Sequence, residues 1–265
     1  MTPWFRPSVA AAMIGGGLLT IALPVLVGLV TRRRTGASWR TFGLGAATFF
    51  ASQVVLRLPW QIPLGVWLGP RLKGSAALMV LWLAVSALTA GLFEEVGRWC
   101  ALRWFQKDER SFRVGVMLGA GHGGLEAIIV GVSIVGSGVL YVVVGAQTGT
   151  NIPPETLSKI DAAYAGLGVL DALAGAVERV SAVAAQIAMS VVVAQAFVRG
   201  RIRWLWIAVG MHFVVDFVFA GAAMWLAKKS GSAMVGELPL LPLVPLSAWI
   251  VWRLRPPREA PPASP

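Results

Sequence analysis

Seven long apolar segments recur along this chain, at about residues 9–30, 41–58, 75–97, 113–146, 178–198, 204–227 and 236–252. A helix needs roughly 20 such residues to cross the hydrocarbon core, where only helices and closed barrels satisfy every backbone N–H and C=O. The pattern predicts an all-α fold, a polytopic transmembrane helical bundle with about 7 to 8 spans. Residues 1–252 read as a single transmembrane helical domain, and 253–265 as a short disordered cytoplasmic tail rich in proline. The fourth segment is overlong, and a bend or break is expected near Gly131, Gly136 or Gly138. Residues 160–177 form an extra short helix, a re-entrant element or an extension of the fifth span, which is where an eighth span would arise. Pro59, Pro63 and Pro70 mark 59–73 as a connector.

The chain carries a formal net charge of +11. Its basic residues cluster between apolar runs: Arg32, Arg33, Arg34 and Arg40; Arg98, Arg103, Lys107, Arg110 and Arg113; Arg199, Arg201 and Arg203; then Arg253, Arg255 and Arg258. All four clusters fall on one side of the membrane under a seven-span count, which predicts a multi-pass protein of the cell membrane with its N-terminus outside and its C-terminus cytoplasmic. The lipid bilayer accounts for the charge, and no nucleic-acid partner is needed. With 57% hydrophobic and 13% charged residues, the composition exceeds what a solvated globule uses. Cys100 stands alone, which excludes an intrachain disulfide and a thiolate metal cluster. The first apolar run ends in TRRR rather than at a small-residue cleavage site, so it is expected to stay as a helix.

Against this background a few polar residues stand out. The only histidines are each followed four residues on by a carboxylate, His122 by Glu126 and His212 by Asp216, and the acidic pair Glu94 and Glu95 precedes Arg98. Residues four apart share a helix face, so three helices each contribute one polar stripe. At 1.5 Å per residue, His122 lies about 13 Å from Arg113 and His212 about 13 Å from Arg203, which matches their depths and predicts one polar cavity in the cytoplasmic leaflet. Intramembrane carboxylates usually have partners or functions, and carboxylates beside histidines are the groups of general acid–base chemistry. The blander reading is a structural polar cluster in which Glu94 or Glu95 simply pairs with Arg98.

Other polar residues are less informative. Glu178 and Arg179, at the edge of span five, form either an interfacial ion pair or a functional pair, and Gln186 and Ser190 lie deeper in it, at a level to line the cavity, unless Ser190 bonds its own i−4 carbonyl. Spans one, two and seven carry almost no polar chemistry and read as packing elements. Gly119, Gly121, Gly123 and Gly124 serve either close helix packing or a backbone opened to substrate.

At these same residues the chain resembles the YhfC family of intramembrane metalloproteases, itself similar to the CAAX prenyl-protease and bacteriocin-processing membrane family. The likeness covers most of residues 10–252 and rests on EEVGR at Glu94–Arg98, GHGGLEAI around His122 and Glu126, and HFVVD from His212 to Asp216. The broad family has E-E-x-x-x-R; here the arginine follows the second glutamate by three. The resemblance implies that Glu94 activates water with His122, that Glu95 and Arg98 set its charge and orientation, and that His212 stabilises the oxyanion with Asp216 behind it. It also implies a histidine where Gln186 stands.

The reaction expected is peptide-bond hydrolysis in or beside the bilayer, on a membrane protein or peptide substrate. Two forms stand open. In a metal-free glutamate form Glu94 is the base; in a zinc form, His122, His212 and one of Glu94 or Asp216 would hold the ion, since zinc needs three protein ligands plus water. The rivals are a proton-coupled transporter, because His and Glu pairs also relay protons, and a non-catalytic membrane binding protein.

Overall fold

The computed structural model describes residues 4–146 and 153–256. Most of the expected tail, residues 257–265, lies outside the described residues, as do 147–152. The chain is a helical bundle: α1 (Pro7–Thr35), α2 (Trp39–Phe49), a π-helical stretch (Phe50–Arg57), α3 (Leu58–Gly74), α4 (Ala76–Phe105), α5 (Phe112–Ala146), α6 (Pro154–Tyr164), α7 (Val169–Val198), α8 (Arg203–Val214), a second π-helical stretch (Val215–Phe219), α9 (Ala220–Ser230), α10 (Ala233–Gly236), a 3-10 turn (Leu238–Leu240) and α11 (Leu243–Arg253). Among the described residues, seven helical stretches are long and apolar enough to cross a membrane.

The connector expected at 59–73 is instead helical, and the second span runs from Trp39 to Gly74 without interruption. Hydrocarbon offers no water to an unpaired carbonyl, so the chain absorbs its prolines locally rather than leaving the helix. The hydrogen-bond ladder widens to π spacing over Phe50–Arg57, immediately before Pro59, and the Leu58 N–H reaches Gln53 O. Likewise α5 runs unbroken past Gly131, Gly136 and Gly138. Two of those glycines are packing surfaces: a Cβ on Gly131 would lie 2.8 Å from Gly17 O, and one on Gly138 would lie 2.9 Å from the Ile14 side chain. Residues 160–177 divide between the end of α6 and the start of α7, so the fifth span begins at Val169.

α5 is the axis of the bundle, packed against α1, α2 and α7. Its glycines allow this. A Cβ on Gly121 would sit 1.9 Å from Phe42 O of α2, and one on Gly119 would sit 2.6 Å from Ile187 Cα of α7. From the α2 side, a Cβ on Gly45 would lie 2.0 Å from Leu118 O. The close-packing alternative for the glycines around His122 therefore describes them, as small residues bring backbones together where lipid supplies no hydrophobic drive.

Helix ends on the arginine-rich side are capped. α1 stops at Gly36, whose φ of 72° is left-handed, after Arg32, Arg33 and Arg34 in its last turn, where cations favour the dipole. The Arg110 guanidinium donates to Leu102 O at 3.1 Å and Arg103 O at 2.8 Å, filling carbonyls that the end of α4 leaves open. Arg199 over Trp204 and Arg103 over Trp99 mark one membrane face; Arg71 over Trp67 and Lys229 over Trp225 mark the other.

Candidate active site

Glu94, Glu95 and Arg98 share one face of α4, and each is at most 5% exposed. Burying three charges is tolerable only if each finds partners. Arg98 lies between the two glutamates, donating through Nη1 to Glu95 Oε1 and through Nη2 to Glu94 Oε2 at 3.2 Å. α5 adds His122, whose Nε2 is 2.9 Å from Glu94 Oε2, and α7 adds Gln186, whose Nε2 donates to the same oxygen at 3.1 Å while its Oε1 accepts from Arg98. With Arg98 and Gln186 already donating to Oε2, that oxygen acts as an acceptor, so His122 Nε2 carries the hydrogen. Phe49 holds the ring edge-on at 5.3 Å.

α8 brings His212 to the other side of Glu94. Its approach depends on Gly91, where a Cβ would lie 3.1 Å from His212 Cβ. Nδ1 of His212 is 2.8 Å from Glu95 Oε1, which also accepts from Arg98, so the ring is held from behind. Nε2 then points forward, 3.9 Å from Glu94 Oε1 and 3.5 Å from Asp216 Oδ2. Glu94, Glu95, Arg98, His122 and His212 thus form one contiguous buried cluster.

Glu126 does not pair with His122. It accepts from Arg179 Nη1 at 2.8 Å and from Gln186 Nε2 at 3.0 Å. Arg179 is also bound by Glu178, and because α7 starts at Val169 this pair lies within the span rather than at its edge. Gln186 therefore joins two acid–arginine clusters. The Ser190 hydroxyl is fully buried with no partner among the described residues, so it does not bond its i−4 carbonyl. Asp171 lies in the first turn of α7 and accepts from Ser232 Oγ at 2.6 Å and Met234 N at 3.1 Å, which ties down the link after α9.

The reading of span two as a packing element is corrected. Gln53, in the π-helical stretch, donates through Nε2 to Glu94 Oε1. Arg57 donates to Gln53 Oε1 at 2.8 Å and so fixes which way the amide faces; it is itself held by Ser86 O at 2.6 Å and Thr89 Oγ1 at 3.3 Å. The signal was present, because Gln53 and Arg57 are four apart in an apolar run like the other pairs. Both π-helical stretches supply polar groups here, Gln53 and Arg57 from the first and Asp216 from the second.

Beside the cluster lies an apolar groove of about 770 Å³, formed between α2 with its π-helical extension and α4 and lined by Leu44, Ala51, Leu92, Phe93, Val96 and Gly97 among others. A Cβ on Gly97 would be 3.3 Å from Thr48 Cγ2, so the two helices nearly touch at its floor.

The sequence profile of the YhfC intramembrane metalloprotease family matches residues 19–240 of this chain. The chain is also 30% identical over 203 residues to the "Uncharacterized membrane protein YhfC" of Bacillus subtilis (strain 168), an alignment covering 74% of this chain and 78% of that protein. No solved structure matches.

The family description implies a metal. His122, His212 and Glu94 have suitable donor chemistry, yet among the described residues no group of three His, Cys, Asp or Glu side chains converges to hold an ion. Glu94 Oε2 is already shared by three donors, and the Arg98 guanidinium abuts both glutamates, so a divalent cation would meet fixed positive charge. The residues as placed do not fit a resident metal.

Proposed function

The chain belongs to the YhfC intramembrane metalloprotease family, and we propose that it hydrolyses peptide bonds of membrane-embedded substrates with Glu94 as the base. The observation that carries this reading is the asymmetric environment of Glu94. Its Oε2 is saturated by Arg98, His122 and Gln186, whereas Oε1 has Gln53 and faces His212 Nε2 across 3.9 Å. A separation above about 3.5 Å between polar atoms is the kind that a water bridges.

In this mechanism the water between Glu94 Oε1 and His212 Nε2 gives its proton to Glu94 as its oxygen attacks the scissile carbonyl carbon. His212, carrying a proton on Nε2 and oriented by Glu95, stabilises the tetrahedral oxyanion. Collapse breaks the C–N bond, and the proton held by Glu94 passes to the leaving amine. Arg98 and His122 keep Glu94 in place, and Asp216 orients His212. The apolar groove beside α4 suits a substrate segment arriving from lipid. The arginine clusters support an orientation with the N-terminus outside and the C-terminus cytoplasmic.

Time-resolved mass spectrometry of a transmembrane peptide library, incubated with the purified protein in lipid, tests the proposal. Products that require Glu94 and vanish in Glu94→Gln support it. A folded, lipid-embedded protein that cleaves no member of the library, or a Glu94→Gln protein that cleaves as well as the unchanged one, counts against it.

A further inference from the structure

Hydrolysis consumes one water per bond, and the Glu94 cluster is closed on the arginine-rich side of the membrane. Between it and that surface lies a buried apolar layer that includes Leu102, Leu118, Val193, Leu205 and Ala208, all 4% exposed or less. The polar side chains continue in the opposite direction instead. Glu126 lies about 6 Å past His122 along α5, Asp216 about 6 Å past His212, and Glu178 about 12 Å from Gln186 toward the start of α7, all away from the arginine-rich loops.

Those groups are also the ones that face open space. The side chains of Glu126, Glu178 and Asp216 are 24%, 25% and 38% exposed, against 6% for Glu94 and 0% for Glu95, Arg98 and His122. They line a cavity of about 80 Å³ that also includes Arg179, Gln186 and His212. A water requires about 10–15 Å³ of such space, so a short file of waters fits. Carboxylates partly open to hydrocarbon would be costly, whereas the same groups facing water are not.

We propose that this cavity is the water-entry route to the Glu94 site, opening on the membrane side opposite the arginine-rich loops, with Glu126, Arg179 and Glu178 at its mouth and Gln186 linking the mouth to Glu94. What the water does at Glu94 rests on the hydrolytic reading; the route itself does not.

Single cysteines at Ala182, Ala185 and Ala220, which line the cavity, are introduced into a Cys100→Ala protein in sealed proteoliposomes of fixed orientation. A charged, membrane-impermeant methanethiosulfonate is then applied from each side in turn. Val180→Cys is the control, since it lies at nearly the depth of Ala182 but faces lipid at 46% exposure. The expected result is modification at the three cavity positions at least tenfold faster than at Val180→Cys, from the side opposite the arginine-rich loops alone. Val193→Cys should stay unmodified from either side. Ala182→Cys and Ala220→Cys read the same space if Ala185→Cys folds poorly. Cavity positions as slow as Val180→Cys, or faster labelling from the arginine-rich side, overturn the route. Labelling as expected without peptide products leaves the route standing and removes the hydrolytic reading; products without labelling do the reverse.

Discussion

His122 Nε2 is 2.9 Å from Glu94 Oε2, while Nδ1 of the same ring is buried without a partner among the described residues. One nitrogen is committed to holding the carboxylate, and an orphaned buried acceptor costs about 1–3 kcal/mol. An arrangement that tolerates such an atom values the ring's orientation over its full satisfaction. The histidine thus steadies Glu94 from the side away from His212.

Removing that support should lower turnover more than substrate binding. His122→Ala is expected to reduce kcat on a cleavable membrane peptide by about 10²-fold, at the lower end of the 10²–10⁴-fold contribution of positioned acid–base groups, with KM little changed. Glu94→Gln should fall by the upper end of that range. Steady-state assays in lipid with both variants check this; equal losses in kcat and rises in KM would point to a misfolded pocket instead.

Arg98 is the electrostatic centre of the cluster, fully buried and bound to Glu94, Glu95 and Gln186. Arg98→Leu leaves two buried carboxylates without their cation and should cost about 3–5 kcal/mol. Thermal unfolding in detergent would show a large fall in midpoint, and Arg98→Lys should restore little, since the three donors of an ammonium radiate from one nitrogen and do not reproduce the planar fork that spans Glu94, Glu95 and Gln186.

Gln53 is the one hydrogen-bond donor to Glu94 Oε1 among the described residues, and it sits on a largely apolar helix. Gln53→Leu keeps the side-chain bulk and removes a hydrogen bond to a charged group, which is worth about 1.5–3 kcal/mol, or roughly 10- to 100-fold. Activity should fall by roughly that factor, and the unfolding midpoint should fall as well, by less than in Arg98→Leu. Arg57→Gln should give a smaller loss of the same kind, because it acts on Glu94 only by orienting Gln53.

Close helix approach around α5 makes its glycines unforgiving. A methyl on Gly121 would be 1.9 Å from the Phe42 carbonyl oxygen, and backbone cannot swing aside, so Gly121→Ala should destabilise by at least the about 1–3 kcal/mol typical of overpacking. Gly43→Ala on the facing helix meets nothing within 4 Å and should be neutral or slightly stabilising. The yield of monodisperse protein and the unfolding midpoint separate the two.

Hydropathy and charge determined the class of fold, the seven spans and the grouping of the arginine loops, because burial in lipid constrains every position of a span and leaves that constraint readable along a single helix. Four-residue spacing was likewise enough to single out Glu94, Arg98, His122, His212 and Asp216, since a helix face is a local property. Glu94 with Arg98 and His212 with Asp216 meet along one helix, but the remaining partners were not local. That His122 meets Glu94 rather than Glu126, that Glu126 belongs with Arg179 and Gln186, and that Gln53 reaches the cluster from a helix of otherwise apolar sequence all depend on how α2, α4, α5 and α7 rotate against one another. That rotation is set by glycine contacts between helices far apart in sequence, as at Gly121 against Phe42 and Gly91 against His212, and in lipid these packing contacts rather than hydrophobicity choose the faces that meet.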